Sequence, residues 1–100
     1  MFNHIVLFKL KNFQSDQKKS EIRNQIKDAL LGLEEKISVL KYIEVGTHFE
    51  LNGGSFDISL VTRFDSKDAF EFYRDHPEHL KVADLVRANT VDRAAVDYTE

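Results

Sequence analysis

The first stretch of the chain, residues 2–10, alternates like a β-strand but carries apolar side chains on both faces. Phe2, Val6 and Phe8 share one face, whereas Ile5 and Leu7 lie on the other. Because such a strand has to be covered on both sides, its sheet needs helices on one side and a second covering on the other. A chain of 100 residues has room for one core, so we expect a single domain over residues 1–100.

The segments that follow predict a helix and then a hairpin. Ser15 is a good N-cap for a helix whose apolar positions recur at spacings of three and four and which frays near Glu35. Residues 42–51 and 56–64 alternate as two strands. The sequence Asn-Gly-Gly-Ser between them, residues 52–55, is a strong turn signal.

The last third of the chain repeats the order of helix and strand. Ser66 caps a helical segment that has to end or kink near His76, because the residue before Pro77 avoids helical geometry. A further helix can start at Pro77, and residues 91–98 form the final strand. The resulting order β-α-β-β-α-β predicts a ferredoxin-like α+β fold, a four-stranded antiparallel sheet with the helices on one face.

That arrangement leaves the second face of the sheet bare. Ile5, Leu7 and Val61 make this face too apolar to meet water comfortably. Two such faces paired around a twofold axis would close a dimeric α/β barrel, so we expect a homodimer. The alternative is a monomer with a semi-polar open face, since Lys9 and Arg63 also lie there.

Composition excludes several classes of function. The net charge of −3 offers no positive field for phosphates, so we expect no nucleic-acid partner. The absence of cysteine excludes disulfides, thiolate chemistry and cysteine-type metal sites, and fits a reducing compartment. The apolar stretch at residues 2–10 is too short to span a membrane and lacks a signal-peptide cleavage site, so we expect a cytoplasmic protein without a membrane partner.

Four short motifs carry a resemblance to a known family. They are residues 4–9 (HIVLFK), 44–46 (EVG), 73–79 (YRDHPEH) and 96–98 (VDY). In this order, and over essentially the whole chain, they resemble the stress-responsive α/β-barrel domain (Dabb) family. The resemblance implies ferredoxin-like dimers with an α/β barrel. It does not imply one activity: many bacterial members have none assigned, some plant members are linked to salt or heat stress, and one is a polyketide cyclase.

The resemblance also implies a candidate catalytic pair, Tyr73 and His79. The matching residues of the plant cyclase act as acid and base. A histidine near neutral pKa can remove a proton from a carbon next to a carbonyl, and a tyrosine hydroxyl can donate to the developing enolate oxygen. Where the cyclase has a further histidine on its third strand, this chain has Ile58.

An apolar pocket between sheet and helices is expected beside this pair. Its predicted lining is His4, Val6, Phe8, Ile58, Leu60 and His76. Two other interpretations remain open. The histidines can stabilise the helix break, with His76 bonding backbone groups freed near the kink, or the pocket can bind a ligand without turnover.

We expect no cofactor and no metal site. His76 and His79 have the i, i+3 spacing of a chelating pair, but no third ligand is evident. The resemblance leaves one cation open, because a plant member has been associated with a magnesium ion near the end of its first helix. Backbone carbonyls near residues 35–39 are the matching groups here.

The sequence therefore predicts a small dimeric protein of undefined activity that binds a small apolar molecule between sheet and helices. A second hypothesis is a cofactor-free enzyme, similar to a polyketide cyclase or a monooxygenase, that uses Tyr73 and His79 as acid and base. A third is a purely structural or interaction dimer.

Overall fold

The structure is a computed structural model that describes residues 1–49 and 54–100. The described elements follow the predicted order. In chain order they are β1 (Phe2–Leu10), α1 (Asp16–Leu31), α2 (Leu33–Lys36), β2 (Tyr42–Thr47), β3 (Ile58–Phe64), α3 (Lys67–Asp75), α4 (Pro77–Asn89) and β4 (Thr90–Thr99).

The four strands form one antiparallel sheet in the order β2-β3-β1-β4. β1 is therefore central, with Val6 opposite Leu60 of β3 and Ala95 of β4. All helices whose packing is described lie against one face of this sheet. Buried side chains of β1 and β3 point to that face and alternate along each strand with side chains of the other face. The ferredoxin-like α+β fold predicted from the element order is confirmed.

The hairpin strands are shorter than the alternation predicted. β2 ends at Thr47 and β3 begins at Ile58. Between them, the carboxylate of Asp57 accepts a hydrogen bond from the backbone N–H of Leu10 at 2.8 Å. The predicted end of the second strand and the first half of the turn fall at residues 50–53, outside the described residues. Gly54, in the second half of that turn, has a φ of 79°, as the turn signal predicts.

The break between the two C-terminal helices is confirmed. α3 ends at Asp75, α4 begins at Pro77, and His76 between them is extended, with φ −66° and ψ 136°. The Nδ1 atom of His76 accepts a hydrogen bond from the backbone N–H of Glu78 at 3.1 Å. The imidazole therefore serves as the N-cap of α4, a part usually taken by Ser, Thr, Asp or Asn.

The two faces of the sheet differ as the sequence predicts. One hydrophobic core fills the space between sheet and helices, with Phe64, Ile26 and Leu33 among its fully buried side chains. The other face leaves Leu7, Val96 and Tyr98 exposed in the single chain. This second face is called the outer face below.

Candidate functional site

A cavity of about 490 Å³ lies between the sheet and α4 and opens to solvent along the edge strand β4. Its middle is apolar and its two ends are polar. The apolar wall comes from β1, β3, β4, α1, α3 and α4 and comprises Val6, Phe8, Leu60, Ala95, Leu30, Phe70, Val82, Ala83 and Val86. A volume of this size is in the range of small-molecule sites.

The spacing of residues on three elements, α4, β1 and β4, places them on this wall. One face of α4 lines the cavity, because its lining residues recur at intervals of three and four. They are His79, Val82, Ala83, Val86 and Arg87. On β1 and β4, the lining residues alternate with residues of the outer face. The regular periodicities of a helix and two strands therefore place the lining residues on facing surfaces of α4 and the sheet.

His79 lies at one end of the cavity, with Nδ1 2.8 Å from the backbone carbonyl oxygen of Arg74. Burial lowers the pKa of His79 below its ordinary value, and the charge that His4 can carry lowers this pKa further. The ring is therefore neutral near pH 7. Because a carbonyl oxygen only accepts, Nδ1 carries the ring hydrogen and Nε2 is left with a free lone pair.

His4 and Asp97 form a second polar pair at the same end. The Nδ1 atom of His4 lies 2.5 Å from Oδ1 of Asp97, and the two residues are directly opposite each other on β1 and β4. The imidazole of His4 also packs against the ring of Phe70, with the ring centroids 4.7 Å apart. These two contacts fix the ring of His4 at the cavity wall.

Tyr73 is not among the described residues that line the cavity. It is fully buried on α3, and its hydroxyl has no hydrogen-bond partner among the described residues. Burial raises the pKa of this hydroxyl above its ordinary value, so it stays protonated at neutral pH. Its ring contacts that of His79, with the centroids 4.5 Å apart. Tyr73 thus touches a cavity residue without reaching the cavity.

The structure brings the sequence-predicted site together in part. His4, Val6, Phe8, Leu60 and His79 line the cavity. Ile58 and His76 do not line it: Ile58 is part of the core, and Nδ1 of His76 accepts a hydrogen bond at the N-terminus of α4.

Sequence reasoning missed five polar residues of the cavity, which are Arg74, Arg87, Thr90, Arg93 and Asp97. The signal was available for two of them, since Arg93 and Asp97 alternate on one face of the last strand. What the sequence could not show is that this face of an edge strand borders an open space.

Within residues 1–49 and 54–100, no group of three or more His, Asp or Glu side chains is arranged to hold a metal ion. None of the helices described there has the length and apolar character that a bilayer crossing requires.

The comparisons with known proteins find the same ferredoxin-like fold. The chain belongs to the stress responsive A/B barrel domain (Dabb) family, whose model matches residues 2–100. None of the curated proteins compared with the chain matches it.

Solved structures with this fold include two described as dimeric and of unknown function. One, from Bacteroides fragilis, is 38% identical, with 97% of this chain and 93% of that chain covered and a TM-score of 0.87. The other, from Thermobifida fusca, is 28% identical, with 99% and 90% covered and a TM-score of 0.82. A hydroxynitrile lyase from Passiflora edulis shares the fold at 19% identity, with 97% and 90% covered and a TM-score of 0.80.

Proposed function

We propose that the protein binds a small, largely apolar molecule in the cavity between the sheet and α4. The observation that carries this proposal is the cavity itself, about 490 Å³ with an apolar middle and an opening along β4. A protein that served only as a structural dimer would gain stability by filling this space with larger side chains. Here the wall carries alanines, Ala83 and Ala95, at positions where larger residues would close it.

The test is to close the cavity and measure binding of an apolar probe. In Ala83→Phe the added ring would occupy the middle of the cavity, whereas in Ala88→Phe the same substitution lies on an exposed face of α4 outside it. Binding of 2-naphthol, followed by its fluorescence, should be lost in the first variant and kept in the second. Equal binding by wild type and Ala83→Phe would overturn the proposal.

A second candidate function is acid–base catalysis on the bound molecule, and the free lone pair of His79 Nε2 favours it. In this reaction Nε2 takes a proton from a carbon next to a carbonyl, the electron pair of the C–H bond forms a carbon–carbon double bond, and the carbonyl oxygen takes the negative charge. The proton returns from Nε2 in the reverse step. Tyr73 would act as a positioning residue, because it touches His79 and not the cavity.

Exchange of the α-hydrogens of 2-acetonaphthone in D₂O tests this chemistry without knowledge of the natural substrate. Wild type should accelerate the loss of the α-proton signal, and His79→Gln should abolish the acceleration. His76→Asn is the control, since His76 lies outside the cavity and Asn keeps its capping role. If wild type and His79→Gln exchange equally fast, the base role is excluded.

We also propose that two copies of the chain pair through their outer faces. Leu7, Val96 and Tyr98 are exposed there in the single chain, and Ile5 and Val61 lie beside them at opposed positions of β1 and β3. Burial of these side chains would supply the apolar contact that holds a dimer together. The related structures from Bacteroides fragilis and Thermobifida fusca are described as dimeric. We propose, in addition, that the protein is located in the cytoplasm, because the absence of cysteine from the sequence fits a reducing compartment.

A further inference from the structure

We propose that the molecule bound in the cavity is a monoanion, a carboxylate with an apolar body, and that the guanidinium of Arg93 binds its charged group. The inference rests on the proposed binding function and names the chemical class of the ligand. It follows from how charge is distributed along the length of the cavity.

The two ends of the cavity are far apart and chemically different. Along β4, Arg93 and Asp97 lie on the same face about 14 Å apart, at about 3.4 Å per residue. Along α4, His79 and Arg87 share the cavity face about 12 Å apart, at 1.5 Å per residue. Because α4 leads directly into β4 at Thr90, Arg87 and Arg93 lie at one end of the cavity. His79 and Asp97 lie at the other end, together with Arg74, whose backbone carbonyl oxygen is 2.8 Å from Nδ1 of His79.

The pairing of β1 with β4 supports this division. Arg93 is opposite the apolar Phe8, whereas Asp97 is opposite His4, with which it forms a hydrogen bond. At the histidine end, the carboxylate of Asp97 therefore already accepts a hydrogen bond from the ring of His4. The arginine end has an apolar neighbour and no such acceptor on the facing strand.

Arg93 differs from the other cavity-lining arginines in its partners. Arg87 pairs with Asp84 at 3.0 Å, and Arg74 pairs with Asp75 at 3.1 Å. The carboxylate next to Arg93, that of Asp92, accepts a hydrogen bond from the backbone N–H of Arg93 at 2.8 Å. Within residues 1–49 and 54–100, no carboxylate pairs with the guanidinium of Arg93.

These charges select one class of ligand. A guanidinium presents two parallel N–H donors that match the two oxygens of a carboxylate. At the opposite end, the guanidinium of Arg74 is already paired with Asp75, and the carboxylate of Asp97 would repel a second anionic group. The cavity thus favours a molecule with one carboxylate, an apolar middle, and a neutral polar group that reaches the histidines.

Three rigid naphthalene probes test the inference at pH 7. They are 6-hydroxy-2-naphthoate, its neutral methyl ester and 2,6-naphthalenedicarboxylate. We expect the monoanion to bind about 5-fold more tightly than the ester, the size of effect that an exposed ion pair gives, and the dianion to bind more weakly than the monoanion. Arg93→Gln should remove the preference for the monoanion over the ester and leave binding of the ester unchanged.

Lys81→Gln is the matched control, because it removes one positive charge from an exposed position of α4 that does not line the cavity. It should leave the preference intact. If the ester binds as tightly as the monoanion, or if Arg93→Gln and Lys81→Gln behave alike, the carboxylate assignment is overturned while the proposed binding function stands. If neither the monoanion nor the ester binds, both are overturned.

Discussion

The ring of Tyr73 packs against the imidazole of His79, with the ring centroids 4.5 Å apart and the planes inclined by 45°. The two residues differ in what else they touch. His79 lines the cavity, whereas Tyr73 is held between Phe64, Phe70 and His79 with its hydroxyl buried. Tyr73 therefore supports the ring of His79 and does not itself line the cavity.

Two substitutions of Tyr73 distinguish the contribution of its ring from that of its hydroxyl. Tyr73→Phe removes a buried hydroxyl without a partner among the described residues, so we expect unchanged or slightly higher stability and unchanged ligand binding. Tyr73→Ala should lower the free energy of unfolding by about 3–5 kcal/mol, because it leaves a large hole in the core. Urea unfolding measures both. A loss of α-proton exchange in a stable Tyr73→Phe variant would instead assign the hydroxyl to the chemistry.

The neutral state of His79 predicts how stability depends on pH. Its pKa in the folded protein is below the ordinary value of 6.5, so between these two values the unfolded chain binds more protons. The stabilisation is complete above pH 6.5 and is lost as the pH falls towards the folded-state pKa. The melting temperature should therefore fall less on acidification in His79→Gln than in wild type. Equal falls would show that His79 titrates normally.

The capping role of His76 predicts a difference between two substitutions. His76→Ala removes the acceptor that the backbone N–H of Glu78 uses and should cost about 1 kcal/mol in the free energy of unfolding. His76→Asn supplies another side-chain acceptor and should keep most of this stability. Both variants should bind 2-naphthol like wild type, since His76 does not line the cavity. Loss of binding in a folded His76→Asn protein would contradict this role.

Leu7→Lys tests the dimer through the outer face. Leu7 is 36% exposed and Leu31, on α1, is 38% exposed in the single chain, so the same substitution can be compared at two sites of nearly equal exposure. We expect Leu7→Lys to give a folded monomer in sedimentation, because the new charge would be buried without a partner between two copies. Leu31→Lys should remain a dimer. A wild-type chain that sediments as a monomer at micromolar concentration would contradict the pairing.

The fold could be predicted from the sequence because the patterns that indicate its helices and strands are local. Alternation on Phe2–Leu10, the Ser15 cap and the single proline each act within a few residues. The element order that such signals mark then predicts the topology. The ends of the hairpin strands were predicted less well. In this region the carboxylate of Asp57 accepts a hydrogen bond from the backbone N–H of Leu10 on another strand, and no local sequence pattern indicates such a long-range contact.

The candidate site could be predicted from the sequence only in part, because it also depends on long-range contacts. Periodicity placed His4 and His79 on surfaces that face each other. It could not show how far the ring of Tyr73 is buried, nor that Arg93 and Asp97 border an open space. Both depend on how closely α4 approaches the sheet, which side-chain packing across the whole core decides.

The most direct test of the account is to map where an apolar molecule binds. In a titration of ¹⁵N-labelled protein with 2-naphthol, we expect the largest amide shifts at Val6, Ala83 and Ala95, which line the middle of the cavity. We also expect the Nε2 signal of His79 to respond, and these changes to disappear in Ala83→Phe. Shifts confined to the outer face around Leu7 and Val96, or none up to saturation of the probe, would contradict a ligand site between the sheet and α4.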